Sequence, residues 1–309
     1  MSQAVLDRPA ADVPTPPPAR TRNRRIGRRG KLASIPLLAV VAFLVLVPAG
    51  FVLLAAFSES VPRPGSISFD LTLRNVEVLL EAGVLGATGN SILIAVSATF
   101  LALCIGGFLA FITARTNVRC KGFVFLIGLM PMFLPSYVGA LAWSILGSPG
   151  AGLINVGTRD LGMGSPVNMY SVEGVVMVFA MYYAPYAFLL IHASMSMMNP
   201  DLEDASTVHG ASTWRTIRSV TAPLALPAIM GSGLLMFILI LENFPVAQVL
   251  ATPGQIDTLP TFIYRLMNTS PSRGNEASVI AIVLVAAVIA ITVVQRKVLA
   301  KRSFTTVSG

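Results

Sequence analysis

The sequence predicts an all-α polytopic membrane protein with six transmembrane helices. Composition is the first reason: over 309 residues, 54% are hydrophobic and only 12% are charged, with a mean hydropathy of +0.75. A soluble domain of this length rarely has so few charges. The second reason is six apolar runs, near 34–57, 90–114, 123–146, 174–198, 226–250 and 277–295. Each is about 20 residues long, which a helix rising ~1.5 Å per residue needs to cross a ~30 Å hydrocarbon core. The third is charge placement. Of 22 Lys and Arg residues, seventeen fall before the first span, after the second, after the fourth or after the sixth; five (Arg63, Arg74, Arg159, Arg265 and Arg273) fall in the alternate loops. The positive-inside rule then puts both termini and the loop at 199–223 in the cytoplasm. The net charge of +8 therefore marks topology and lipid contact rather than nucleic-acid binding.

Residues 1–33 contain Pro14-Thr15-Pro16-Pro17-Pro18 and a cluster of arginines, which predicts a disordered basic cytoplasmic tail. The run that follows is too long for a signal peptide and lacks a clear small-residue cleavage site. Segment 34–69 reads as the first transmembrane helix and an external loop. In the second span Ala98, Ala102, Gly106, Ala110 and Ala114 recur every fourth residue, a stripe of small side chains where another helix can approach closely. Pro131 and Pro135 fall in the third span, Pro185 in the fourth and Pro245 in the fifth. Each removes a helical hydrogen bond and invites a kink. Residues 301–309 read as a short cytoplasmic tail. Cys104 lies in a span and Cys120 at a cytoplasmic turn, so no disulfide is expected.

The loop at 199–223 carries the most information. Asn199 can cap a helix and Pro200 suits its first turn. Asp201, Glu203 and Asp204 then lie near the positive end of the helix dipole. Gly210 can adopt the left-handed conformation that ends a helix, and Ser212 can cap the next one. The second helix carries Trp214, Arg215 and Arg218, and Pro223 and Pro227 lead into the fifth apolar run. Helix signals alone fit an ordinary interfacial loop as well as a docking element.

The spacing adds more. Asp204-Ala205-Ser206, Gly210 and then Val220-Thr221-Ala222-Pro223 resemble the EAA---G---------I-LP loop in the membrane subunits of ATP-driven (ABC) importers. Asn90-Ser91-Ile92, the segment from Leu134-Pro135-Ser136-Tyr137 to Trp143, and Tyr182-Tyr183-Ala184-Pro185-Tyr186 resemble the ferric-iron and polyamine branch of that family. The likeness covers about 70–300, the expected permease core domain. It implies a type I ABC importer permease of the bacterial inner membrane, which is not itself an enzyme. Partners implied are a second permease subunit, two ATP-binding cassette subunits and an extracytoplasmic solute-binding protein. It also implies coupling to the ATPase through Glu203, Asp204, Ala205, Ser206, Gly210 and Arg215, and a substrate such as ferric iron, a polyamine or a phosphonate.

No G-x-x-x-x-G-K-[ST] phosphate loop is present in the sequence, so ATP and Mg are expected on the partner subunits and no cofactor on this chain. No paired-Cys or His-x-x-x-His metal motif and no Ser/His/Asp constellation is evident. His192 and His209 read as packed or interfacial residues. Glu242, beside Asn243, is the one carboxylate in an apolar run. It should face water or a partner, lining a translocation path or packing near the outer end of its helix. Tyr137 and Tyr182 are the other path candidates. A secondary transporter or channel is the alternative reading, and it leaves the loop unexplained. A membrane scaffold that moves nothing is a third, which the proline-broken spans disfavour.

Overall fold

The computed structural model describes the backbone of residues 28–62 and 70–301, and the side chains of 36–62 and 70–297. The predicted disordered tail lies outside the described residues up to 27, as do the last residues of the C-terminal tail. Among the described residues the regular secondary structure is helical, apart from an isolated Ser58–Leu71 bridge.

The chain divides into two units after Ala49. The described part of the first is the leading portion of α1 (Arg28–Ala56), whose side chains from Pro36 onward are almost all exposed and apolar. The second unit holds everything after it. A short 3₁₀ turn (Arg74–Leu80) precedes α2 (Ala82–Arg115). Then come α3 (Lys121–Phe133), α4 (Ser136–Gly147), α5 (Leu153–Asp160), α6 (Val172–Ser196), α7 (Asp201–Val208) and α8 (Thr213–Thr216). Helix α9 (Ala222–Leu241), α10 (Phe244–Val246), α11 (Leu259–Asn268) and α12 (Gly274–Lys301) complete the chain. Among the described residues five helices are long and apolar enough to cross a membrane, or six if α3 and α4 count as one broken span.

Three predicted spans differ in shape. The second starts at Ala82, so Asn90 and Ser91 lie inside it rather than at its mouth. The third is broken: α3 and α4 meet at 97°. Leu134 precedes a proline and takes the extended backbone that pre-proline sterics favour, and Pro135 offers no N–H to continue the helix. The fifth begins at Thr213 and ends at Leu241, not at 226 and 250. Its first turns run through Ile217–Thr221 with wide, π-type bonding, Ala222 N–H reaching back to Ile217 O. That widening keeps the backbone helical where Pro223 supplies no donor. At its far end Asn243 leaves the helix, its side-chain oxygen accepting from Val246 N at 3.0 Å, and Pro245 takes an early turn of α10. Pro185, by contrast, is fully buried inside a continuous α6.

The main core forms where α2, α6 and α9 pack together. Ala98, Ala102, Gly106 and Ala110 are buried along α2. A Cβ on Gly106 would stand 2.5 Å from Ala184 O and 2.6 Å from Ala187 Cβ, so only glycine allows this approach. In lipid, where burying apolar surface gains little, such close packing is a main source of helix association. Phe179, Phe188 and Met236 fill the layer around the stripe. A second cluster gathers Val84 and Ala87 of α2, Phe262 and Leu266 of α11 and Ile280 of α12. Polar side chains pin the connections. Ser91 Oγ accepts from Leu259 N at 2.7 Å and Asn90 Nδ2 donates to Asp257 O at 3.0 Å. Fully buried Asn155 bonds Ser148 O, Val167 O and Val167 N, leaving no amide atom without a partner.

Candidate functional site

The loop ahead of the fifth span folds as a helix–turn–helix. Asn199 Oδ1 accepts from Asp201 N at 3.1 Å, and Pro200 occupies the cap position of α7. Asp201, Glu203 and Asp204 fall in the first turn, where the dipole favours carboxylates. Gly210 has φ +77, the left-handed conformation that glycine adopts without strain. Ser212 Oγ then accepts from Arg215 N at 3.4 Å and starts α8.

The two faces of α7 differ. Glu203 and Ser206, three residues apart, point at the bundle. Glu203 Oε1 accepts the Thr221 hydroxyl at 2.7 Å, and the Ser206 hydroxyl meets that of Thr216 at 3.0 Å. Asp204, Ala205 and Val208 are exposed, as are Gly210 and Arg215 across the turn. No residue of α7 is buried, so the helix stands on the bundle by polar clasps rather than by an apolar seat.

Arg115, at the last turn of α2, is the residue that sequence reasoning missed here. Its guanidinium donates to Met195 O at 2.8 Å and Met198 O at 3.4 Å, where α6 ends. Its Nε lies 3.4 Å from Glu203 Oε1, and its side chain is only 10% exposed. In the sequence it counts only as one more positive-inside charge.

The path candidates sit at the α3–α4 break and at the end of α9. Tyr182 donates to Leu134 O at 3.0 Å, at the α3–α4 bend; Tyr137 lies exposed in the first turn of α4. Glu242 is exposed at the end of α9 and Asn243 follows it. Asn243 Nδ2 donates to Tyr183 Oη at 3.0 Å, and Tyr183 donates to Leu239 O at 3.2 Å. Tyr182 and Tyr183 are in edge contact at 5.2 Å, so adjacent α6 tyrosines reach both places. Tyr183, a central member, was not among the predicted site residues, although its sequence neighbour was.

His192 is packed between Phe125 and Phe188 and meets the Thr113 hydroxyl at 2.9 Å. Among the described residues no group of three or more His, Cys, Asp and Glu side chains is placed to hold a metal ion. At the other end of α2 Arg273 pairs with both Glu81 and Glu276, and these carboxylates, Glu81 the more strongly, raise its pKa and hold the guanidinium further in the charged form.

An all-α bundle of five or six spanning helices, one of them broken, with a helix–turn–helix ahead of the fifth, is the fold of a polytopic membrane protein. The family described as binding-protein-dependent transport system inner membrane component matches residues 102–304, and the chain belongs to that family. The ferric transport system permease protein FbpB of Actinobacillus pleuropneumoniae is 24% identical over 234 residues, 76% of this chain and 34% of that protein. The inner membrane ABC transporter permease protein YdcU of Escherichia coli is 28% identical over 202 residues, 61% of this chain and 64% of that one. The chain thus spans between a third and two thirds of the length of these relatives. In fold it is similar to a chain of a bacterial alginate ABC transporter crystallised with alginate pentasaccharide-bound periplasmic protein. There the TM-score is 0.70 at 20% identity, covering 91% of this chain and 97% of the other.

Proposed function

We propose that this chain is the membrane-spanning permease subunit of an ATP-driven, binding-protein-dependent importer of a small solute. The observation that carries the reading is the α7–Gly210–α8 element. It has an exposed face of mixed charged and apolar side chains open to a partner, a left-handed glycine at its turn, and a second arm continuous with a spanning helix. A push on such an element is delivered directly to α9. The exposed residues Asp204, Ala205, Gly210 and Arg215 would meet the ATPase subunits on the cytoplasmic side, and Glu203 and Ser206 would pass the movement inward. Both termini would then be cytoplasmic. The chain would work with a second permease subunit, two ATPase subunits carrying ATP and Mg, and an external solute-binding protein.

The solute would pass beside the α3–α4 break and the end of α9, where Tyr137, Tyr182 and Glu242 are accessible and Asn243 holds the α9 end in place. Relatives named for ferric, spermidine/putrescine and 2-aminoethylphosphonate transport support a small charged solute. The test is uptake by proteoliposomes containing this chain with its partners, offered ferric ion, spermidine and 2-aminoethylphosphonate in turn. ATP-dependent accumulation of one of them is expected. Flux through this chain alone, driven by an ion gradient, would instead establish a secondary transporter or channel.

A further inference from the structure

We infer that Arg115 is the joint through which movement of α7 reaches the ends of the other spans. This rests on the coupling reading above. Helix α7 buries none of its residues and packs chiefly on α8 and the wide turn Ile217–Thr221. Apart from the chain itself, displacement of α7 is passed on through its two inward clasps. Ser206 leads only to Thr216, in the adjoining arm of the same loop. Glu203 leads further, because its Oε1 is shared between Thr221, at the base of α9, and Arg115, at the end of α2.

Arg115 then reaches across to Met195 O and Met198 O, at the end of α6. Those carbonyls belong to a helix C-terminus, where the dipole favours a cation. One guanidinium thus ties α7 to α2, α6 and, through Glu203, α9, the three helices that build the main core. A planar fork can hold such divergent acceptors where an ammonium group holds them less well. The joint is also stiff. The side chain is 10% exposed, and a charge so enclosed resists leaving its partners. Its Nε has no aligned acceptor although Glu203 lies within ion-pair distance, so a small shift of Glu203 could tighten or loosen this contact. Arg115 is a positioning residue: it touches neither the ATPase face nor the path.

The test uses proteoliposomes holding the full chain, the second permease, both ATPase subunits and the binding protein. Cys104 and Cys120 are replaced by Ser, and Val138→Cys, beside the α3–α4 break, reports alternation by its labelling with fluorescein maleimide with and without ATP. Arg115→Gln is expected to keep the ATPase subunits bound but to cut the ATP-dependent change in labelling about tenfold, the scale of one charged hydrogen bond. Glu203→Gln should act similarly, and the double variant should be no worse than either, because both cut one link. Arg115→Lys should retain part of the change. If Arg115→Gln fails to assemble, Thr221→Val removes one hydroxyl from the same joint and should lower the change in the same direction.

A wild-type change in Arg115→Gln, fully independent effects of Arg115→Gln and Glu203→Gln, or no effect of Thr221→Val in that fallback overturns the inference. Asp204→Lys, on the outward face, separates the two levels. If it releases the ATPase subunits while Arg115→Gln transmits normally, only the role of Arg115 falls. If it leaves both docking and labelling intact, the coupling reading fails and the inference with it.

Discussion

Substitution at Gly210 separates backbone conformation from side-chain crowding. The residue sits at φ +77, and nothing lies within 4 Å of where a Cβ would stand. The cost of a side chain is therefore conformational rather than steric. Alanine in the left-handed region costs about 1–2 kcal/mol, and a β-branched residue stands at the upper end of the ~1–3 kcal/mol that such backbone outliers cost. Asparagine visits this region more readily. Because α7 buries nothing, the loop rather than the bundle should yield. The affinity of the assembled permease for its ATPase subunits should then fall in the order Gly, Asn, Ala, Val. Each 1.4 kcal/mol is tenfold, so Ala should lose roughly 5–30-fold and Val up to ~150-fold, with membrane insertion unchanged. Titration of the ATPase subunits against permease in nanodiscs measures this. Docking by Gly210→Val at wild-type strength would refute the reasoning, as would an Asn variant as weak as Val.

Gly106→Val should lower the thermal stability of the purified chain by about 1–3 kcal/mol or more, since the obstructing atom is a backbone oxygen that cannot swing aside; an unchanged melting temperature contradicts the packing account. Glu242→Gln keeps shape and most hydrogen-bonding capacity, so uptake normalised to assembled complex should fall modestly, and Glu242→Leu should do more harm by removing polarity from an exposed site. Wild-type uptake by both variants would remove Glu242 from the path. Purified without partners, the chain should hydrolyse no ATP above an empty-vesicle control, and turnover should appear when ATPase subunits are added.

Much of the fold is legible in the sequence because the bilayer sets length and apolarity at once. The small-residue stripe from Ala98 to Ala114 likewise announces a close helix contact, but not that α6 is the helix that fills it. What the sequence hides is how far each proline bends its helix. Pro185 sits in an unbroken helix, Pro135 accompanies a 97° break, and ahead of Pro223 the helix merely widens. The outcome depends on whether neighbouring groups satisfy the freed carbonyls, and that is tertiary information. Helices α5 and α11 are short and only partly apolar, so they escape a search for spans. In the loop, the glycine turn and the Ser212 cap follow from local chemistry. The inward bonds of Glu203 and Ser206 do not, because Thr221 and Thr216 come into reach only once the two arms fold together. Arg115 is hidden for the same reason: its partners are 80, 83 and 88 positions away.

The most direct test of the account is where ATPase subunits touch this chain. A photo-crosslinking residue at Val208, 84% exposed on the α7 arm, should yield an adduct with an ATPase subunit in membranes. The same probe at Met163, 64% exposed in the loop between α5 and α6, should yield none, because the positive-inside rule puts that loop on the side away from the ATPase subunits. Adducts from Met163, or their absence from Val208 in a complex that hydrolyses ATP, would contradict it.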